Sequence, residues 1–396
     1  MNPFKELFLL DPQITFLNHG SFGAAPRPVF EAYQTWQREL ERQPVEFLGR
    51  RATGLLAEAR QSLAEFLNVQ AQDLVFFPNP TSAVNMVARN LIQPPNTALA
   101  AADGDFQLRA GGEVLATDHE YGALNRTWRY LCRVSGASYR TVALPLPLEA
   151  PDQVVERFWA QVNERTRVIF ISHITSATAL TLPVAEICRR ARQASLLSIV
   201  DGAHAPGQTT LDLEQIGADI YTGACHKWLC APKGAAFLHV RRAVQPRLDP
   251  LIVSWGYESE NPSGSQFIDY HEWQGTRDLA AYLSVPAAIE FQRRHNWEQV
   301  RADCHALAVE TRRRVEALTG LPSVCAAERF QQMFTARLPD RLDLERFKSD
   351  LYDRFQVEAP VVAWNDQKFL RVSFQAYNDR AGADRLIEAL EALLPR

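Results

Sequence analysis

Asp201 and Lys227 are the two side chains whose types and settings could do chemistry together. The aspartate closes the apolar run Leu196-Leu197-Ser198-Ile199-Val200, and the lysine sits further along in Gly223-Ala224-Cys225-His226-Lys227-Trp228-Leu229, a turn opened by small residues. A lysine amine can form a Schiff base with an aldehyde, and a carboxylate behind a pyridine ring keeps the ring nitrogen protonated so that it accepts electrons. Pyridoxal 5'-phosphate chemistry needs that pairing. A lone Asp at a strand end or a lone Lys beside a helix is usually structural or solvated. Asp201 with His204 and His226 with Lys227, on adjacent strand ends, instead favour chemistry in a cleft.

Three further constellations accompany the pair. Asn79-Pro80-Thr81-Ser82 precedes an amphipathic helix and offers backbone N–H groups and the hydroxyls of Thr81 and Ser82 to a phosphate; an ordinary helix cap is the alternative. In Thr117-Asp118-His119-Glu120-Tyr121, His119 could lie flat on an aromatic cofactor and Tyr121 could donate or accept a proton. The competing reading is a cap made by Asp118 with a partly buried tyrosine. Ser172-His173-Ile174-Thr175-Ser176 taken alone reads as a turn.

The elements that must position these residues follow from hydrophobic patterning. Residues 70–240 alternate short apolar runs with amphipathic stretches, which predicts βαβ units and a mostly parallel sheet. Strands are expected at Leu74–Phe77, Glu113–Ala116, Ser138–Val142, Val168–Ser172, Leu197–Asp201, Ile220–Thr222 and Ala235–Val240, with the suggestive residues at or just after their C-terminal ends, where open α/β sheets bind ligands. After residue 280 long helical stretches take over, followed by strands at Gln332–Leu338, Val357–Ala363 and Phe369–Phe374 and a closing helix, a smaller α+β unit.

Composition narrows the function classes. With 396 residues and 46% hydrophobic content the chain can bury a large core, and 42 basic against 46 acidic residues, a net charge of −4, give no reason to expect nucleic acid or an anionic membrane as partner. No 18-residue uncharged apolar run and no secretory leader is visible, so a cytoplasmic protein is the expectation. The six scattered cysteines suggest reduced thiols; Cys225, His226 and Cys230 lack a second pair of ligands, so no metal site is expected.

Asp201-Gly202-Ala203-His204-Ala205-Pro206-Gly207 with Cys225-His226-Lys227-Trp228-Leu229-Cys230-Ala231-Pro232-Lys233-Gly234 resembles the PLP-dependent class V aminotransferase superfamily. Within it the chain is most similar to the isopenicillin N epimerase-like branch, which also holds C–S lyases of ergothioneine biosynthesis. Asn18-His19-Gly20-Ser21, Gly275-Thr276-Arg277 and Leu370-Arg371-Val372-Ser373 extend the resemblance along nearly the whole chain.

The resemblance implies an α/β protein of PLP-dependent transferase fold type I. Its large domain, residues 21–280, would carry a mostly parallel seven-stranded sheet; residues 281–396 would form a small C-terminal α+β domain, joined by residues 1–20. It also implies roles. Lys227 would hold the cofactor, Asp201 pair with its ring nitrogen, His119 stack on the ring, and His204 with Thr175 or Ser176 approach the ring hydroxyl. Thr81 and His226 would contact phosphate, as would Thr276 across a homodimer with shared sites. Arg371 would fork onto the α-carboxylate of an amino-acid substrate, and Asn18 and His19 would line the mouth. Two departures stand out, Ala224 where Ser or Asn is frequent and Pro80 where Ala is.

Epimerisation, C–S lysis and transamination would share all these groups; the reading leans to a C–S lyase. Cysteine desulfuration is disfavoured because Cys325, the one candidate nucleophile, reads as a core cysteine. A non-catalytic binding module would have no use for Lys227, Asp201 and Arg371 together.

Overall fold

The protein is described from a computed structural model over residues 2–92 and 106–395. Its central sheet has seven strands in the order Leu74–Phe77, Ala236–Val240, Ile220–Ala224, Leu197–Asp201, Thr166–Ser172, Glu113–Thr117, Ser138–Val142. Ala236–Val240 alone runs against its neighbours, and the others are parallel. Strands such as Leu197–Asp201 and Ile220–Ala224 are buried at every position, as a sheet covered on both faces requires. Side-chain alternation divides them between two cores: Leu74 and Phe76 join one, Val75 and Phe77 the other. Ser138–Val142, on the edge, is polar and mostly accessible.

The helices Pro80–Ile92, Gly122–Ser135 and Val184–Gln193 follow strands of this sheet, so each strand delivers its C-terminal turn to the same edge. A second, antiparallel sheet places Gln367–Ser373 between Val361–Trp364 and Met333–Leu338. The helix Trp297–Thr319 packs on Met333–Leu338 and on the last helix, Arg380–Leu393. Among the described residues no helix is long and apolar enough to cross a membrane.

Two features differ from the sequence expectation. Val357–Ala363 is not one strand: Val357–Glu358 pairs in parallel with Thr15–Phe16, whereas Val361–Trp364 joins the antiparallel sheet. Pro360 breaks the run, having no N–H to give a ladder, while its carbonyl accepts from the Arg371 amide at 2.9 Å. The helices Arg27–Arg42 and Ala52–Leu67 were not anticipated. The first is polar overall and buries fully only Val29, although its apolar residues share one face.

Candidate active site

At the C-terminal edge of the large sheet lies a cavity of about 140 Å³. Lys227, Asp201, His204 and His226 line it from two turns, Thr81 and Tyr121 from two others, and Ser176 from a further one, with Ser21 and Phe22 arriving from the N-terminal segment. Tyr121 and Phe22 are its exposed aromatic residues.

Lys227 is held by its own backbone. Its carbonyl accepts from the Cys230 amide at 3.0 Å and from His19 Nε2 at 3.0 Å, while the amides of Cys225 and His226 both donate to Ala235. Gly23, at φ +68°, runs so close beneath that a Cβ would drive into the His226 carbonyl. Nζ lies 3.2 Å from His204 Nε2. Burial, opposed by Asp201 and reinforced by Arg371, brings the amine down to about 8.

Asp201 is buried with Oδ1 accepting from the Ala203 amide at 2.9 Å, and burial raises its carboxyl above the usual range. The sequence reading missed its buried neighbour Glu120, whose two oxygens accept from Thr117 Oγ1 at 2.6 Å and Ser172 Oγ at 2.5 Å. Burial pushes Glu120 up to about 8, so it is neutral at pH 7 beside Asp201.

Arg371 is a buried cation whose guanidinium is held only by uncharged acceptors. One terminal nitrogen donates to the Ser176 carbonyl at 2.6 Å, the other to Ser21 Oγ at 2.8 Å, and Nε has no partner among the described residues. Burial lowers it to about 10. Ser21 in turn donates to Asn18 Oδ1 at 2.5 Å, and Asn18 Nδ2 donates to Glu358 at 2.9 Å. Asn18 therefore orients Ser21 and, through it, Arg371, rather than lining the mouth.

Thr81 opens the helix Pro80–Ile92 at the cavity, and His226 also lines it, its Nδ1 3.0 Å from the Ala235 carbonyl. Burial brings His226 down to about 4. Ser82 does not line the cavity, and Asn79 Oδ1 takes its amide at 2.9 Å as a helix cap.

Several expected residues fall elsewhere. His119 is buried outside the cavity, Nδ1 2.7 Å from Thr178 Oγ1 and Nε2 3.0 Å from the Leu144 carbonyl, and its ring packs on Trp364 at 4.0 Å rather than facing the cavity. Tyr121, two residues on, occupies the wall expected of it. Thr175 turns inward, paired with Thr178 Oγ1 at 2.8 Å and the Leu180 amide at 2.9 Å. His19 lies beneath the lysine turn, Nδ1 3.0 Å from Tyr377 Oη, and burial lowers it to about 3. Thr276 is exposed and away from this cavity. Hydroxyl-rich Ser21 and Ser172 were visible in the motifs, but only their contacts reveal their use.

Residues 23–386 match the family model described as Aminotransferase class-V. The chain belongs to that family. It is 40% identical over 98% of its length to the isopenicillin N epimerase of Amycolatopsis lactamdurans, covering 97% of that protein. It is 28% identical over 97% of its length to a probable chloroplastic L-cysteine desulfhydrase of Arabidopsis thaliana, covering 84% of it. Its fold matches that of the C-DES variant with glycine covalently linked to its PLP cofactor, at a TM-score of 0.82 and 20% identity, over 96% of this chain and 97% of that one.

The expected class-V family, the type I fold and an enzyme using pyridoxal 5'-phosphate therefore hold. The residues present fit that group: a buried free amine, a buried carboxylate with one oxygen uncommitted, and a helix N-terminus line one cavity.

Proposed function

We propose that this class-V enzyme moves the α-proton of an amino-acid substrate, with epimerisation as its net reaction. The buried Arg371 supports this reading most directly: an unneutralised guanidinium beside the Lys227 cavity is a seat for an α-carboxylate, and the planar fork suits bidentate contact. In this reading Lys227 holds the cofactor and Asp201 faces its ring nitrogen. His204 and Ser176 lie near the ring hydroxyl, and Thr81, the helix N-terminus and His226 receive the phosphate. Tyr121, in place of His119, covers the ring. When bound, the cofactor supplies an electron sink that makes the substrate α-proton labile. Lys227, once freed, exchanges a proton at that carbon from one face, for which an amine brought down to about 8 suits work near neutral pH, and inversion follows when the carbon is reprotonated on the opposite face.

Membership of a homodimer with shared sites, with Thr276 serving the second copy's phosphate corner, belongs to the same proposal, as do the division into domains at residues 20 and 280 and a cytoplasmic location. The full-length similarity to an isopenicillin N epimerase favours epimerisation; the desulfhydrase relative favours C–S β-elimination as the second reading. Desulfuration through a cysteine nucleophile is opposed by the six thiols, all buried and all pushed up by burial.

Incubation of the enzyme with candidate amino acids in deuterated water decides among these. Epimerisation gives α-deuterium in both enantiomers without pyruvate or sulfide. Pyruvate and sulfide from cysteine conjugates establish the second reading instead, and a Lys227→Ala variant that still exchanges the α-proton sinks both.

A further inference from the structure

The residue after the lysine has a part in the site that its apolar character conceals. Trp228 is completely buried, and its indole nitrogen lies 3.2 Å from His204 Nδ1. An indole N–H only donates, so His204 Nδ1 must accept and carries no proton. His204 is itself buried, and burial holds its protonation well below the ordinary histidine range. A neutral imidazole has one ring proton, which is therefore on Nε2. That nitrogen is the one 3.2 Å from Lys227 Nζ. An ammonium has three donors and no acceptor, so the contact is a hydrogen bond only when the lysine is a free amine taking the Nε2 proton on its lone pair.

We propose that Trp228 is a positioning residue that fixes His204 as the Nε2–H tautomer and, through it, favours the unprotonated form of the Lys227 amine and aims it into the cavity before cofactor is captured. Three groups make one directional chain, from indole N–H to imidazole to amine. The other charged or titratable groups acting on its two ends are Asp201, which favours the ammonium, and Arg371, His226 and His19, which oppose added positive charge. Trp228 is anchored independently of this chain: its carbonyl accepts from Gln292 Nε2 at 2.8 Å, and its ring packs 5.0 Å from that of His19. The direction of the chain is thus set by the rigid end and read out at the reactive one.

The kinetic half of this inference rests on Lys227 being the cofactor lysine, while the tautomer half does not, so the two can fail separately. Long-range ¹H–¹⁵N correlation spectra of the full-length, ¹⁵N-histidine-labelled, cofactor-free protein should show His204 with its proton on Nε2. A proton on Nδ1 overturns the proposal without any variant being made. The second arm follows the rate at which added pyridoxal phosphate is captured by the cofactor-free chain, read at about 420 nm. Trp228→Phe keeps an aromatic ring but removes the donor; its capture rate at pH 7 should fall about tenfold, the midpoint of the pH profile rising by about one unit. His204→Gln with Trp228 intact should lose less than Trp228→Phe, because a carboxamide can accept from the indole through its oxygen and donate to the amine through its nitrogen. A Trp228→Phe protein with unchanged melting temperature, unchanged midpoint and unchanged His204 tautomer refutes the relay. No capture by the unsubstituted chain, with Nε2–H nevertheless observed, overturns the cofactor assignment and leaves the tautomer intact.

Discussion

Two turns leave the same edge of the large sheet with much the same residue types and put them to opposite uses. After Leu197–Asp201, the aspartate and His204 both face the cavity, with Asp201 Oδ1 folded onto the Ala203 amide and the Ala205 amide closing the turn on Gly202 at 2.9 Å. After Glu113–Thr117, Asp118 turns away: Oδ1 accepts from the Leu144 amide at 3.0 Å and Oδ2 from Asn365 at 2.9 Å, while its carbonyl accepts from Trp364 Nε1 at 2.9 Å. His119 follows it into the protein, and the turn ties the large sheet to the antiparallel one. What separates Asp201 from Asp118 is unspent hydrogen-bonding capacity on a cavity wall: one Asp201 oxygen is uncommitted, whereas both Asp118 oxygens are taken. His119 has both nitrogens committed, whereas Arg371, behind Ser21 and Ser176 of the cavity wall, retains a buried nitrogen without a partner among the described residues.

The sharpest way to break this contrast is at Arg371. Arg371→Lys keeps a positive charge but loses the planar fork, and Ser21 and Ser176 then lose the donors they hold. The variant should fold, bind cofactor with an unchanged absorbance band, and lose about 10²–10³-fold in kcat/KM, chiefly through weakened recognition of the carboxylate. If steady-state rates with the lysine variant lie within about threefold of the original, the guanidinium is not the carboxylate seat.

The middle-sized effect is expected at His119 and has the opposite signature. His119→Ala strands the Thr178 hydroxyl and the Leu144 carbonyl and opens a void beside Trp364. Loss of about 2–4 kcal/mol in denaturant unfolding should accompany a cofactor band and pH profile close to those of the parent. A variant of normal stability that cannot hold cofactor would restore His119 to the ring face and erase the contrast between the turns.

Sequence patterning located the strands well, because period-two alternation and continuous apolar runs report burial directly, as Leu74–Phe77 and Leu197–Asp201 show. Residue types at strand ends also singled out Asp201 and Lys227, which line one cavity, and the family resemblance added Arg371 beside it. Patterning could not phase the turn at 118–121. Which of His119 and Tyr121 meets the cavity depends on Leu144, Thr178 and Trp364, partners brought in from elements far apart in sequence. Ser21 and Trp228 were hidden for the same reason: a hydroxyl and an indole become informative only once the acceptor or donor facing them is known.

The smallest effect tests the one acid that the turn after Glu113–Thr117 does send toward the site. Glu120 carries a carboxyl raised from 4.5 to about 8, chiefly by burial, and is protonated in the folded protein at pH 7. In the unfolded chain it ionises near its ordinary value, so between about 4.5 and 8 the unfolded state binds fewer protons and stability falls as pH rises. The contribution of this acid is complete below 4.5 and is lost through the folded value near 8. Glu120→Gln keeps a neutral group of similar shape between Thr117 and Ser172 and removes the titration. Unfolding free energies should therefore diverge in favour of the glutamine variant as pH goes from about 4.5 to 8, by about 1–3 kcal/mol at the upper end. A difference that is flat with pH would mean Glu120 is ionised in the fold, placing a second anion beside Asp201 and reversing the view of this turn as charge-free toward the site.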